Sequence, residues 1–168
     1  MRISVIAVAG ILSLLGVILF TAPSLYGQVQ CPAMSGQESV STDHFATSEL
    51  CSRCHSTAES ARALKDAQGR SIGPYDLWRT SMMANSSVDP FWRAVVAAEV
   101  AATPSRKAEI EAKCLRCHTP MASLEAEFTG TAPSRKRFLD GKSTLARLAS
   151  DGVSCTVCHQ IPSDGVGQ

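Results

Sequence analysis

Cys114-Leu115-Arg116-Cys117-His118 is a pentad that returns twice in this chain, as Cys51-Ser52-Arg53-Cys54-His55 and as Cys155-Thr156-Val157-Cys158-His159. The three copies absorb six of the seven cysteines and three of the four histidines of a 168-residue sequence. Random placement of that composition yields about 0.007 such pentads, so three of them are a pattern and not a coincidence. Cys-x-x-Cys-His is the attachment signature of c-type haem: the two thiols add across the porphyrin vinyl groups, and the adjacent histidine is set under the macrocycle to ligate iron. A zinc site uses the cysteines but leaves the histidine in fifth place without a role, three times over. A redox dithiol needs a βαβ setting, and no segment offers one. The expectation is three covalently attached haem c groups, bound through Cys51, Cys54, Cys114, Cys117, Cys155 and Cys158, with His55, His118 and His159 as proximal iron ligands.

Counting axial ligands carries the reading further. With three histidines committed, only His44 remains, so at most one iron is bis-histidine within the chain. His44 stands in Asp43-His44-Phe45 beside a polar stretch, where a structural histidine has little reason to be buried, and is the distal candidate; a surface histidine is the alternative. Met82 and Met83 sit with Leu77 and Trp78 and are candidate thioether ligands, against the plainer reading of packing beside Trp78. Met121 is too close in sequence to His118 to reach round to the same iron.

Nine aromatics (five Phe, two Trp, two Tyr) are few for a conventional core, which suits a chain that folds around its cofactors. Formal charge is +1, giving no electrostatic basis for nucleic-acid binding. Arg135-Lys136-Arg137 is the one basic cluster, either a solvated face or a contact for propionates or an acidic partner.

Residues 1–27 read as a signal peptide or an N-terminal membrane anchor. Arg2 precedes an apolar run from Ile3 to Phe20, longer than the ~7–15 residues of a signal core and close to the ~18 at which a spanning helix becomes feasible. Residues 28–42 are polar and rich in small residues, a linker that contains the leftover Cys31, read as a free or intermolecularly paired thiol. Residues 43–168 form the cytochrome domain, with order beginning near His44. The sequence stops nine residues after His159, which suggests that the third site is completed by a missing C-terminal segment or by a further haem subunit.

The expected fold is mainly α with extensive irregular chain, a small multihaem cytochrome c fold packed around three haems. Ser48 to Gln68 carries helix formers around the first pentad and stops at Gly69; Ser71 to Pro74 is a turn, and a helix follows from Tyr75 to about Ala84. Asp89-Pro90 starts a helix that runs to Ala102. The next covers Ser105 to Thr119, Met121 to Phe128 adds one or two turns, and Ser143 to Ala149 is a short helix ended by Asp151-Gly152. No segment alternates as a strand.

Beyond the pentads, the segments His44-Phe45-Ala46, Tyr75-Asp76-Leu77-Trp78, Ser81-Met82-Met83-Ala84-Asn85 and Asp89-Pro90-Phe91-Trp92 resemble those of multihaem cytochromes of the cytochrome c-552/c-554 type, found in bacterial respiratory chains. The likeness spans Asp43 to Gln160. It implies stacked haems for electron transfer, and further haems or ligands downstream of the last pentad. The function expected is electron transfer to redox partner proteins from the periplasm or the outer face of the cytoplasmic membrane of a bacterium. The alternative is a haem enzyme, or a subunit of one, that binds a small nitrogen or oxygen species at an open-coordinate iron. No acid/base constellation in the sequence supports it.

Overall fold

The structure, a computed structural model, describes residues 39–139, 141–162 and 164. The apolar N-terminal run, Cys31 and most of the linker lie outside the described residues. Eight α-helices occur among those described: α1 Ser48–His55, α2 Pro74–Trp78, α3 Pro90–Ala102, α4 Lys107–His118, α5 Pro120–Phe128, α6 Arg135–Phe138, α7 Thr144–Ser150 and α8 Cys155–His159, with a 3₁₀ turn at Pro104–Arg106. Extended pairing among these residues is limited to two isolated bridges, Ser41 with Ala46 and Lys65 with Ser71.

Local chemistry accounts for several of the helix starts. Asp89 caps α3, its carboxylate accepting from the Phe91 N–H, and Pro90 takes the first helical position, where a missing N–H costs nothing. Ser143 caps α7 and Ser134 caps α6 in the same way. Pro120 separates α4 from α5, so each pentad lies at or next to the end of a helix. The longest packed seam joins α5 to α7, with α3 against α4 and α1 against α2. The buried apolar residues of the core include Phe45, Trp92, Val96, Leu115, Met121, Phe138 and Leu148, with alanines 122, 126, 146 and 149.

Three sequence expectations are corrected. The first helix ends at His55 and does not continue toward Gln68. Beyond it, side chains take over the backbone's partners: the Thr57 N–H donates to Asp76, and Asp66 accepts from the N–H groups of Gln68 and Arg70. Second, the helix from Pro74 stops at Trp78. Residues 79–88 form successive turns, with the Ser81 hydroxyl accepting from the Ala84 N–H and the Asn85 amide donating to the Ser81 carbonyl. Third, Val40 and Thr42 already belong to the fold, through Thr47 N–H to Val40 carbonyl at 2.9 Å and Thr42 N–H to Phe45 carbonyl at 2.8 Å. Helix α6 had no counterpart in the sequence reading.

Candidate haem sites

Each pentad occupies the last turns of a helix, or all of a short one, and in each the second cysteine is exposed and the first partly buried. All six thiols are free. Burial pushes the Cys114 thiol up, and burial together with the neighbouring Cys51 pushes up Cys155. Cys51 and Cys155 line one space, although they belong to the first and last pentads.

Those two pentads share a cavity of about 370 Å³, lined by Cys51, His55, Cys155, Cys158 and His159 and walled by Tyr75, Trp78, Met83 and Val153. The walls are held by directional bonds. The Trp78 indole donates to the Val153 carbonyl at 2.8 Å, and the Tyr75 hydroxyl donates to Glu49 at 3.0 Å. Burial first, and the Glu49 carboxylate second, push the Tyr75 pKa up to about 12, so the phenol stays a donor. Met83 faces this cavity, whereas Met82 is 74% exposed and takes no part in the lining. Met121 is fully buried, its sulfur 3.1 Å from the Thr156 hydroxyl, and serves as core.

The second pentad has a different setting. The His118 ring stacks on Trp92 with centroids 4.4 Å apart and planes 13° from parallel. Its Nδ1–H donates to the Ser86 carbonyl at 2.9 Å, which leaves Nε2 with its lone pair free. The Ser86 hydroxyl returns a bond to the His118 carbonyl at 3.0 Å. His44, seven residues before Cys51, is brought to α5, where Nδ1 meets the Glu125 carboxylate at 3.0 Å.

These features fit covalent haem: thiols in free pairs, an imidazole oriented through its other nitrogen, a mainly apolar space beside two pentads, and a buried Trp92 Nε1 with no partner in the protein. They do not fit zinc, since among the described residues no three His, Cys, Asp or Glu side chains converge to hold a metal ion.

Residues 50–160 match the family model described as cytochrome c554 and c-prime, about two thirds of the chain. The chain belongs to that family. Membership in the cytochrome c554 and c-prime family brings covalently bound haem c with its iron and haem-based electron transfer. Proteins of this kind are typically exported. No helix among the described residues is long and apolar enough to cross a membrane. No curated protein and no solved structure matches the chain.

One residue that sequence reasoning missed binds the first pentad to the third. Asp151 is the distant cap of α1: its carboxylate accepts from the Ser48 N–H at 2.7 Å and the Ser48 hydroxyl at 2.6 Å, across 103 residues. Burial raises its pKa, overriding the hydrogen bonds that lower it. A carboxyl raised in the folded state favours folding most below its unfolded value of about 3.9. That contribution is lost as pH climbs from there through the raised folded value. Asp151→Asn, which keeps an acceptor for Ser48, is therefore expected to stay within about 1 kcal/mol of the parent at pH 7, while Asp151→Ala loses about 2–3 kcal/mol. Denaturant titrations of the haem-loaded variants at pH 4 and pH 7 check both.

Proposed function

We propose that the chain is an exported electron carrier with three haem c groups, attached at Cys51/Cys54, Cys114/Cys117 and Cys155/Cys158 and ligated by His55, His118 and His159. His44 is the sixth ligand of one iron, and Met83, rather than Met82, is the thioether candidate, because Met83 faces the cavity beside two pentads. The observation that carries the reading is that shared cavity, lined by both Cys51 and Cys155: attachment points remote in sequence converge on one space.

The bound iron supplies one-electron chemistry. The protein's contribution is attachment, orientation and exclusion of water. Ser86 and Trp92 fix the plane and tautomer of His118, and Trp78, Tyr75 and Val153 wall the space beside the first and third pentads. Residues 1–27 act as the signal or membrane anchor, placing the chain in the bacterial periplasm or on the outer face of the cytoplasmic membrane. Its partners are redox proteins; the balanced charge speaks against nucleic acid.

Expression in a host with c-type haem maturation, followed by a denaturing gel stained for haem peroxidase activity and intact-mass measurement, tests this directly. The expected mass gain corresponds to three haems, all surviving denaturation. Apoprotein mass with zinc in the native sample would overturn the proposal. Carbon monoxide added to the reduced protein tests the coordination: the irons that His44 and Met83 ligate stay six-coordinate and show little spectral change.

A further inference from the structure

We propose that Glu125 sets the potential of one haem by acting on His44, an inference that rests on the reading of His44 as an axial ligand. The Glu125 carboxylate is 8% exposed and its Oε2 lies 3.0 Å from His44 Nδ1. A carboxylate only accepts, so the imidazole proton is on Nδ1 and the lone pair of Nε2 is directed away from the pair. Phe128, on the next turn of α5, stacks on the ring with centroids 4.3 Å apart and planes 30° from parallel. Tautomer and plane are thus both fixed by one helix.

The backbone of His44 is fixed as well. Its N–H and that of Phe45 both donate to the Thr42 hydroxyl oxygen, at 3.3 and 2.9 Å. Gln160, the residue after His159, donates its amide to the His44 carbonyl, and Thr156 donates to the Ala46 carbonyl at 3.1 Å. This segment is therefore fastened to the third pentad from two sides. The Thr42 hydroxyl also lies 3.0 Å from Glu125 Oε2, so the carboxylate has a second donor from the same turn.

An arrangement that served only to tie the N-terminal segment down would not need the carboxylate's charge; an amide would hold the same Nδ1–H. The charge has a separate effect. A carboxylate that accepts the Nδ1 proton makes the imidazole a more basic ligand, which favours ferric over ferrous iron and lowers the potential. Glu125 is a positioning and tuning residue that would act on the iron through the His44 ring.

The test is a spectroelectrochemical titration of the haem-loaded chain and three variants. Glu125→Gln keeps volume and an acceptor oxygen but removes the charge. One haem is expected to stay low-spin while its ratio of reduced to oxidised iron at fixed ambient potential rises about tenfold, equivalent to ~59 mV for a one-electron couple. Glu127→Gln removes a charge from the same helix, where Glu127 pairs with Arg116 and not with His44, and is expected to leave that haem in place. His44→Ala is expected to turn one haem high-spin and open it to carbon monoxide. If His44→Ala alters no haem spectrum, the ligand reading itself fails. If it opens a haem yet Glu125→Gln moves no potential, or Glu127→Gln moves the same haem as far, the ligand reading stands and the role of Glu125 is overturned. Should Glu125→Gln not accumulate as folded protein, Glu125→Asp withdraws the carboxylate by one methylene. The same haem must then shift in the same direction by a smaller amount, and no shift counts against the proposal.

Discussion

Replacing Cys155 and Cys158 together by alanine is expected to remove one of the three proposed haems and to cost more than about 4 kcal/mol of stability, the range that marks loss of a structural element and not of a contact. The side chains themselves are small contributors: Cys158 is exposed and Cys155 only partly buried, so the substitution isolates the cofactor's share. The large cost comes from what the third pentad touches. Helix α8 contacts α1 and α5, and its Thr156 bonds both the Ala46 carbonyl and the Met121 sulfur. The loop before it receives the Trp78 indole. Its cavity is shared with Cys51 and His55, so one lost haem strips a wall from two sites. Elsewhere the core is thin, four of its eleven buried apolar residues being alanine, while Leu77, Met83, Phe91, Phe128 and Ile161 are more than half exposed. Burying a large apolar side chain is worth about 1.5–3 kcal/mol, and these do not collect that gain from protein alone. Intact mass gives the haem count, and near-ultraviolet circular dichroism with a denaturant titration gives the packing. A two-haem protein as stable as its parent would show that the shared cavity is not a haem pocket.

How far the sequence revealed this arrangement depended on the range of the interaction concerned. The pentads were legible because each is written in five consecutive residues. The start of α3 was legible because Asp89 and Pro90 act on the N–H groups next to them. The start of α7 at Ser143 was read for the same reason. What stayed hidden depends on partners far along the chain. The cap of α1 is Asp151, and no local signal marks it. The Ser86 carbonyl that orients His118 is 32 residues away, and Glu125 is 81 residues from His44. The overlong first helix and the overlong Tyr75 helix failed for a related reason. Asp76 takes the Thr57 N–H from 19 residues away, while Asp66, Ser81 and Asn85 bond backbone groups two to four residues off, a local competition with the helix that their helix-compatible neighbours conceal. His44 was singled out by counting ligands, a chemical argument that needs no geometry, whereas its bond to Glu125 is a matter of tertiary placement.

Gly152→Ala is expected to destabilise the haem-loaded protein by about 2–5 kcal/mol, and the site explains why one methyl group does so much. Gly152 holds φ at +63°, a left-handed conformation that costs a residue with a Cβ roughly 1–2 kcal/mol. A Cβ there would also stand 2.5 Å from the Met83 carbonyl oxygen and 2.7 Å from that of Ala84, both backbone, and 2.9 Å from the Ser86 hydroxyl. Backbone cannot swing aside as a side-chain tip does, so residues 83–86 or the loop before Cys155 must move, and such overpacking adds about 1–3 kcal/mol. The same shift threatens the bond from the Val153 N–H to the Met83 carbonyl at 3.0 Å and the seat of His118 on the Ser86 carbonyl at 2.9 Å. One substitution therefore reaches the second and third pentads together. Gly130 provides the comparison, with φ of +66° and no atom within 4 Å of its would-be Cβ. Gly130→Ala is expected to cost only the backbone strain, about 1–2 kcal/mol. The difference between the two variants in denaturant titrations measures the clash alone. Equal losses would mean that residues 83–86 do not press on Gly152 as closely as the structure has them. A larger loss at Gly152, with a changed spectrum for the haem carried by His118, would show that the glycine is required because carbonyls from the ligand-orienting turn approach it this closely.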